Sequence, residues 1–214
     1  MGEGDTKDRI ARTAIGLFNE RGTAAVSTNH IAEEMGISPG NLYYHYRNKE
    51  EIIRATFGRM MAAWEETFVL PRDRAPTLAD LREILEETFS VLWGYRFFYR
   101  EFVALMRRDP ELGRRYRGVR ESGLANSEAI LGSFVGSGVL RAPEDQNAVH
   151  RLATILWLIT EFWLPFVEVG EETVGPERLN EGVDLMMQTL KPYMTKEALD
   201  ELGRPGVQMR GGKS

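Results

Sequence analysis

The chain has 214 residues, a formal net charge of −5, three histidines and no cysteine, which excludes disulfides, thiolate metal sites and thiol nucleophiles and leaves little for any other metal centre. An apolar fraction of 43% is enough for a real core, so wholesale disorder is excluded as well. The N-terminal MGEGDTKDRIART holds no apolar leader, and the longest apolar run, 152–167, contains Glu161 and Pro165 and falls short of a bilayer's width, so a soluble cytoplasmic protein is expected.

In chain order the sequence reads as helix almost throughout, with no strand alternation. A first helix is expected over 6–21, where Ile10, Ala14, Leu17 and Phe18 share one face and Gly22 stops it. Ser27 caps a short second helix through Ile31, Ala32 and Met35, closed by Gly36. Ser38-Pro39 opens a third, with Leu42 and Tyr46 facing inward. A fourth runs from Lys49 through Phe57 and Trp64 to about residue 70. The two-proline stretch 71–76 breaks the pattern, and Thr77 with Asp80 caps a helix through Leu92. Further helices are expected over 97–108, 110–135, 143–169 and 176–193, with a short turn at 196–202 and a glycine-rich, disordered tail from 203.

The stretch from Ser27 to Lys49 is the informative one. Two short helices joined by Met35-Gly36-Ile37-Ser38 have the layout of a helix-turn-helix: an apolar inner face, a turn with glycine, and a second helix with its N-terminal end free. The outward residues of that second helix are Pro39, Gly40, Asn41, Tyr43, Tyr44 and His45. No acid lies among them, which suits a groove lined by phosphates, and Gly40 lets the backbone approach a duplex closely. His30 with Glu33 or Glu34 has metal-ligand spacing, but one such pair lacks the three or four ligands a site needs.

On these residues the sequence resembles the TetR family of bacterial transcriptional regulators. The resemblance rests on 10–18 with Gly22, on Ser27 with Ile31-Ala32, on Gly36-Ile37-Ser38, on Gly40, on Leu42-Tyr43-Tyr44-His45-Tyr46, and on Lys49-Glu50-Glu51-Ile52. Tyr46 replaces the family's usual phenylalanine. The resemblance implies an all-α protein with an N-terminal helix-turn-helix domain (1–54) and a C-terminal helical ligand-binding and dimerisation domain (55–202). It also implies site roles. Ser27 caps its helix and turns its amide to a phosphate; Thr28 and Asn29 lie near the groove edge; Pro39, Gly40, Asn41, Tyr44 and His45 approach bases or sugars. Tyr43, Arg47 and Lys49 reach phosphates, and Ser38 caps the reading helix. Asn41 has the chemistry for a bidentate contact to adenine. Against this, residues 1–54 hold seven Lys/Arg and eight Asp/Glu, so few phosphate ion pairs and a shallow salt dependence are expected.

The rest of the chain carries most of the large aromatics. Core packing accounts for the majority. The resemblance implies a ligand cavity between the middle helices, with Trp93, Phe97, Phe102 and Trp157 as candidate walls. Glu161 stands alone in an apolar helix, and burying an unpaired carboxylate is costly. Pairing with an arginine across a dimer interface is the first reading, a ligand anchor the second, a water-facing edge the third. The arginines at 107, 108, 114, 115, 117 and 120 read first as a solvated face and otherwise as an attractor for a phosphate-bearing ligand or for DNA. The helices near 143–169 and 175–193 carry more apolar surface than one chain needs. Leu152, Leu156, Ile159, Trp163, Val183, Met186, Met187 and Leu190 would suit a four-helix interface between two copies.

The expected protein is therefore a homodimeric repressor that reads a palindromic double-stranded DNA operator and is released by a small hydrophobic effector, with no cofactor, metal, catalytic residue or membrane partner. Two alternatives stand beside it: a helical protein-interaction module, and an enzyme using Ser133 or Glu161. No Gly-x-Ser-x-Gly, P-loop or Gly-x-Gly-x-x-Gly motif supports the second.

Overall fold

A computed structural model describes residues 3–143, 145, 147–170 and 174–203, with side chains from residue 6. Its helices are α1 (Glu3–Ala25), α2 (Thr28–Glu34), α3 (Pro39–His45), α4 (Lys49–Thr67), α5 (Leu78–Gly94), α6 (Arg96–Arg100), α7 (Phe102–Arg108), α8 (Pro110–Gly136), α9 (Ala148–Gly170), α10 (Arg178–Leu190) and α11 (Lys196–Leu202), with one 3-10 turn at Lys191–Tyr193. Among the described residues the only β pairing is an isolated bridge between Leu140 and Met194. The glycine-rich tail expected from 203 lies outside the described residues beyond Gly203.

Local chemistry sets most of the helix starts. Ser27, Ser38, Asn48, Thr77, Asp109 and Thr195 each accept a backbone N–H of the first turn through the side chain. Pro39 and Pro110 fill first-turn positions where no N–H is needed. α1 leaves helical geometry at Gly22, whose φ of +74° is one that a side chain would strain. Ile10, Ala14, Leu17 and Phe18 of α1 are buried against Ile31, Leu42, Tyr46, Ile52 and Phe57, so α1 to α4 share one core. Beyond it, α5 packs on α10 and α8 on α9.

Beyond shifts of a few residues at helix ends, three boundaries differ from the sequence expectation for a reason visible in the structure. The helix expected over 97–108 is two helices that part at Glu101, whose φ/ψ of −106°/12° is not helical. The helix expected from 143 begins at Ala148, because Arg141 donates its N–H to the carbonyl of Tyr193 and ties the preceding segment to the far end of α10. The helix expected to reach 193 loosens into a 3-10 turn at Pro192, which has no N–H to donate.

α9 is 23 residues long and, by length and composition alone, apolar enough to cross a membrane, contrary to the expectation from the 152–167 run. Leu152, Ala153, Glu161, Leu164 and Val167 nevertheless face the chain's own interior. Pro165 lies inside α9, so the carbonyl of Glu161 loses its helical donor. The residues expected to pair two copies are turned the same way: Leu152, Val183, Met186, Met187 and Leu190 are buried, and Leu156, Ile159 and Trp163 pack against that core. On these two helices the large apolar side chains left uncovered are Ile155, Leu158, Phe162, Phe166 and Val169 of α9 and Leu185 of α10, with Phe166 73% and Val169 91% exposed. A helix apolar all round fixes no face by its period, and the positions of α8 and α10 decide which one is buried.

Candidate functional site

The helix-turn-helix presents α3 outward. Leu42 is fully buried beneath it, while Ser38, Pro39, Gly40, Asn41, Tyr43 and Tyr44 are exposed. The Asn41 side chain meets no partner among the described residues. Tyr44 is 73% exposed, and half-buried His45 stands edge-on to its ring at 5.1 Å. The hydroxyls of Tyr43 and Thr28 lie 2.9 Å apart and bridge α3 to α2. Either can donate to the other, which leaves one O–H for an outside acceptor. Asn29 and Arg47 are exposed, and the Arg47 N–H donates to the Glu51 carboxylate at 2.8 Å.

Two residues expected to meet phosphates are engaged otherwise. The Ser27 N–H donates to Nδ1 of His30 at 3.3 Å while the Ser27 hydroxyl accepts from the His30 N–H, a reciprocal cap on α2. Lys49 Nζ donates to the carbonyls of Thr23 (2.6 Å) and Val26 (2.9 Å), so it ties the end of α1 to the start of α4 and keeps one donor in reserve. Tyr46 earns its hydroxyl by donating to the Lys7 carbonyl at 3.2 Å, and the Lys7 ammonium sits 5.2 Å over its ring.

A second site lies within the C-terminal helices: a cavity of about 380 Å³ bounded by α4, α5, α6, α8, α9 and α10. Aromatic walls come from Trp64, Phe68, Phe98, Tyr99, Tyr116 and Trp157. Exposed Glu65, Ser122 and Asn126 mark its mouth between α4 and α8. Glu161 is buried in its wall and accepts hydrogen bonds at Oε2 from the Tyr116 hydroxyl and, at 2.7 Å, from Trp157 Nε1. Burial pushes this carboxyl upward, opposed by those two bonds and by the charge of Arg120. Burial and the neighbouring Glu161 charge push the Tyr116 hydroxyl up in turn. The indole of Trp157 rests on Gly123 of α8, where a Cβ would lie 2.5 Å from a ring carbon.

Of the walls expected from sequence, Trp157 and Glu161 line the cavity and three do not. Phe97 turns to Phe18 of α1 (5.2 Å), Phe102 packs on Tyr116 (4.7 Å), and Trp93 lies beneath the Arg96 guanidinium (4.7 Å). The dimer-interface reading of Glu161 is overturned: its carboxylate is buried in the chain's own interior, bonded to Tyr116 and Trp157, and has no ion pair among the described residues. The arginine run divides. Arg114 and Arg115 pair with Glu111, Arg108 donates to the Thr23 hydroxyl at 3.1 Å, and Arg107, Arg117 and Arg120 are exposed.

α6 connects the two sites. Phe98 and Tyr99 face the cavity, whereas the Phe97 N–H donates to Asn19 Oδ1 (3.0 Å) and Arg100 to the Asn19 carbonyl (3.0 Å). Just after α6, Glu101 accepts from the Thr23 N–H (2.6 Å) and hydroxyl (2.5 Å). Sequence reasoning missed this latch because Asn19, Thr23 and Glu101 look like ordinary polar residues on amphipathic helices. A signal for the cavity was present: Ser122, Gly123, Asn126 and Ser127 form a small, polar stripe on α8 where a core face would be apolar.

A family profile described as "Bacterial regulatory proteins, tetR family" matches residues 10–56, and one described as "Bacterial transcriptional repressor" matches 59–202. The chain belongs to the TetR family. The HTH-type transcriptional regulator YerO of Bacillus subtilis is 43% identical over 92% of this chain and 72% of its own length. A TetR-family transcriptional regulator from Marinobacter aquaeolei VT8 superposes with a TM-score of 0.81 at 33% identity, covering 96% of this chain and 100% of that one. The SmeT–triclosan complex shares the fold, with a TM-score of 0.64 at 21% identity over 98% of this chain and 100% of that one. This TetR-family chain is thus a DNA-binding transcriptional repressor with an N-terminal helix-turn-helix and a helical C-terminal part.

Proposed function

We propose that this repressor acts as a homodimer on a palindromic operator and leaves it when a small molecule enters the cavity. The observation that carries the reading is the outward face of α3, exposed from Ser38 to Tyr44 and free of carboxylates. Pro39, Gly40, Asn41, Tyr44 and His45 meet base edges or sugars in the major groove. Thr28, Asn29, Tyr43 and Arg47 meet phosphates, and Ser27, Ser38 and Lys49 hold the two short helices in place. The reader (1–54) and the regulatory part (55–202) divide within the continuous helix α4. The uncovered stripe of α9, continued by Leu185, is the surface that two copies share. It would set two reading helices on half-sites about 34–36 Å, or a multiple of that, apart.

Regulation follows from the placement of α6. A molecule displacing Phe98 or Tyr99 acts on Phe97, Arg100 and Glu101, which grip α1 at Asn19 and Thr23. A ligand that binds better when that grip is altered favours dimers whose reading helices no longer match the half-sites. SmeT, solved as a triclosan complex, offers a precedent in fold for occupancy by a small molecule.

The test is selection of an operator from random duplexes, followed by fluorescence anisotropy and sedimentation velocity. Asn41→Ala and Tyr44→Ala are each expected to weaken operator binding by roughly 1–3 kcal/mol while leaving weak, salt-sensitive binding to random DNA unchanged. Phe166→Glu is expected to yield monomers with much reduced operator affinity. Equal affinity of the wild type for operator and random duplexes, or an unaltered dimer in Phe166→Glu, refutes the corresponding part.

A further inference from the structure

The charge of the cavity wall says what the cavity admits. Among the described residues two carboxylates line it, Glu65 at the mouth and Glu161 inside, and no lysine, arginine or histidine does. Glu161 is 7% exposed, and both of its hydrogen-bond donors go to Oε2. Among the described residues no donor reaches Oε1. Arg120, whose charge acts on it, is an exposed residue outside the wall and forms no ion pair with it. Burying this carboxylate is costly, as its upward shift reflects, and a counter-charge on the free oxygen would relieve that cost. Tyr99, Tyr116 and Trp157 line the cavity with it, and aromatic rings attract cations. The rest of the wall is mostly apolar, with Thr88, Ser122, Asn126, Ser127 and Thr160 as its uncharged polar groups, and a volume of about 380 Å³ suits a small drug-sized molecule.

From this we infer that the effector is an amphipathic organic cation, its ammonium or amidinium group on Oε1 of Glu161 and its apolar body between α4, α5 and α8. This rests on the cavity being the effector site and adds the chemical class. A wall with a lysine or arginine inside would argue for a carboxylate or phosphate ligand, and this wall has none. The Tyr116 and Trp157 bonds hold the carboxylate in one orientation, so an entering N–H donor finds its acceptor preset.

Three ligands with one carbon skeleton separate charge from shape: phenylbutylamine, phenylbutanol and phenylbutyrate. Isothermal titration of the full-length protein is expected to give binding in the order amine, alcohol, acid. Glu161→Gln is expected to weaken the amine roughly tenfold to a hundredfold and to leave the alcohol within about twofold. Glu161→Asp, which keeps the charge, is expected to preserve the preference for the amine, and the helical circular dichroism of both variants checks that they fold. Equal binding of all three, preference for the acid, or amine binding indifferent to Glu161→Gln overturns the cation assignment while leaving the cavity a ligand site. Binding of none overturns the cavity itself. Amine binding that fails to release operator DNA upholds the cation site and overturns only the regulatory reading beneath it.

Discussion

Glu101→Ala removes both acceptors that hold Thr23, a residue with 0% exposure at the end of α1. Each hydrogen bond to a charged group contributes roughly 1.5–3 kcal/mol, and the partial exposure of Glu101 places these at the lower end. The Thr23 hydroxyl keeps the Arg108 donor at 3.1 Å, but its N–H is left buried without an acceptor, a loss of about 1–3 kcal/mol. The expected cost is about 3 kcal/mol. Glu101→Gln is expected to cost only about 1, since its amide oxygen still accepts from the N–H and its NH2 can donate to the hydroxyl. Thr23→Val is expected to cost about 1, and Thr23→Val with Glu101→Ala much less than the sum, because both act on one cluster. Urea denaturation at fixed protein concentration measures these values, and hydrogen exchange at the Thr23 amide is expected to quicken in Glu101→Ala alone among the single variants. A Glu101→Ala protein within about 0.5 kcal/mol of wild type, with Thr23 exchange unaltered, would falsify the latch.

Two further outcomes follow from side-chain geometry. Gly123→Ala drives a Cβ to within 2.6 Å of two Trp157 ring carbons, so the indole must move and release Glu161. The expected result is altered tryptophan emission and loss of ligand binding, with overpacking of about 1–3 kcal/mol partly offset by alanine's helix propensity; unchanged emission and binding would contradict it. Asp80→Ala removes the Arg74 bidentate bridge (2.5 and 2.6 Å) and the cap on Thr77, at an expected cost of about 1–2 kcal/mol at neutral pH. The Arg74 hydrogen bond, with those from Thr77, holds the Asp80 carboxyl far below its ordinary range. Its contribution is therefore complete above about pH 4 and fades as pH falls below that. The gap between wild type and Asp80→Ala should close under acid, and a gap that widens there would contradict the assignment.

The helix-turn-helix was legible because its determinants are local. Ser27 and Ser38 act on backbone groups three residues away, as Thr77 and Asp80 do at the start of α5, so sequence spacing carries the geometry. The cavity wall was not, because it depends on phase. Phe97 and Phe98 are neighbours in a five-residue helix, and about 100° of rotation sends one to α1 and the other to the cavity. The break at Glu101 resets that phase for Phe102, and the partner that Glu101 meets there, Thr23, lies 78 residues away. Lys49 shows the same limit: its charge is evident in the sequence, but the two carbonyls that engage it lie 26 and 23 residues away.

Pro165 gives α9 a seam. Ile155, Leu158 and Phe162 lie on one side of it and Phe166 and Val169 on the other, while the carbonyl it deprives belongs to Glu161. The helix is most easily bent beside the carboxylate that faces the cavity. If two copies pair along this stripe, as proposed, a guest lodged there would be felt by the neighbouring protomer directly, through a changed angle between the two halves of the shared ridge, as well as by its own α1. One copy's occupancy would then alter how readily the other fills, and ligand titrations of the dimer should depart from a simple hyperbola.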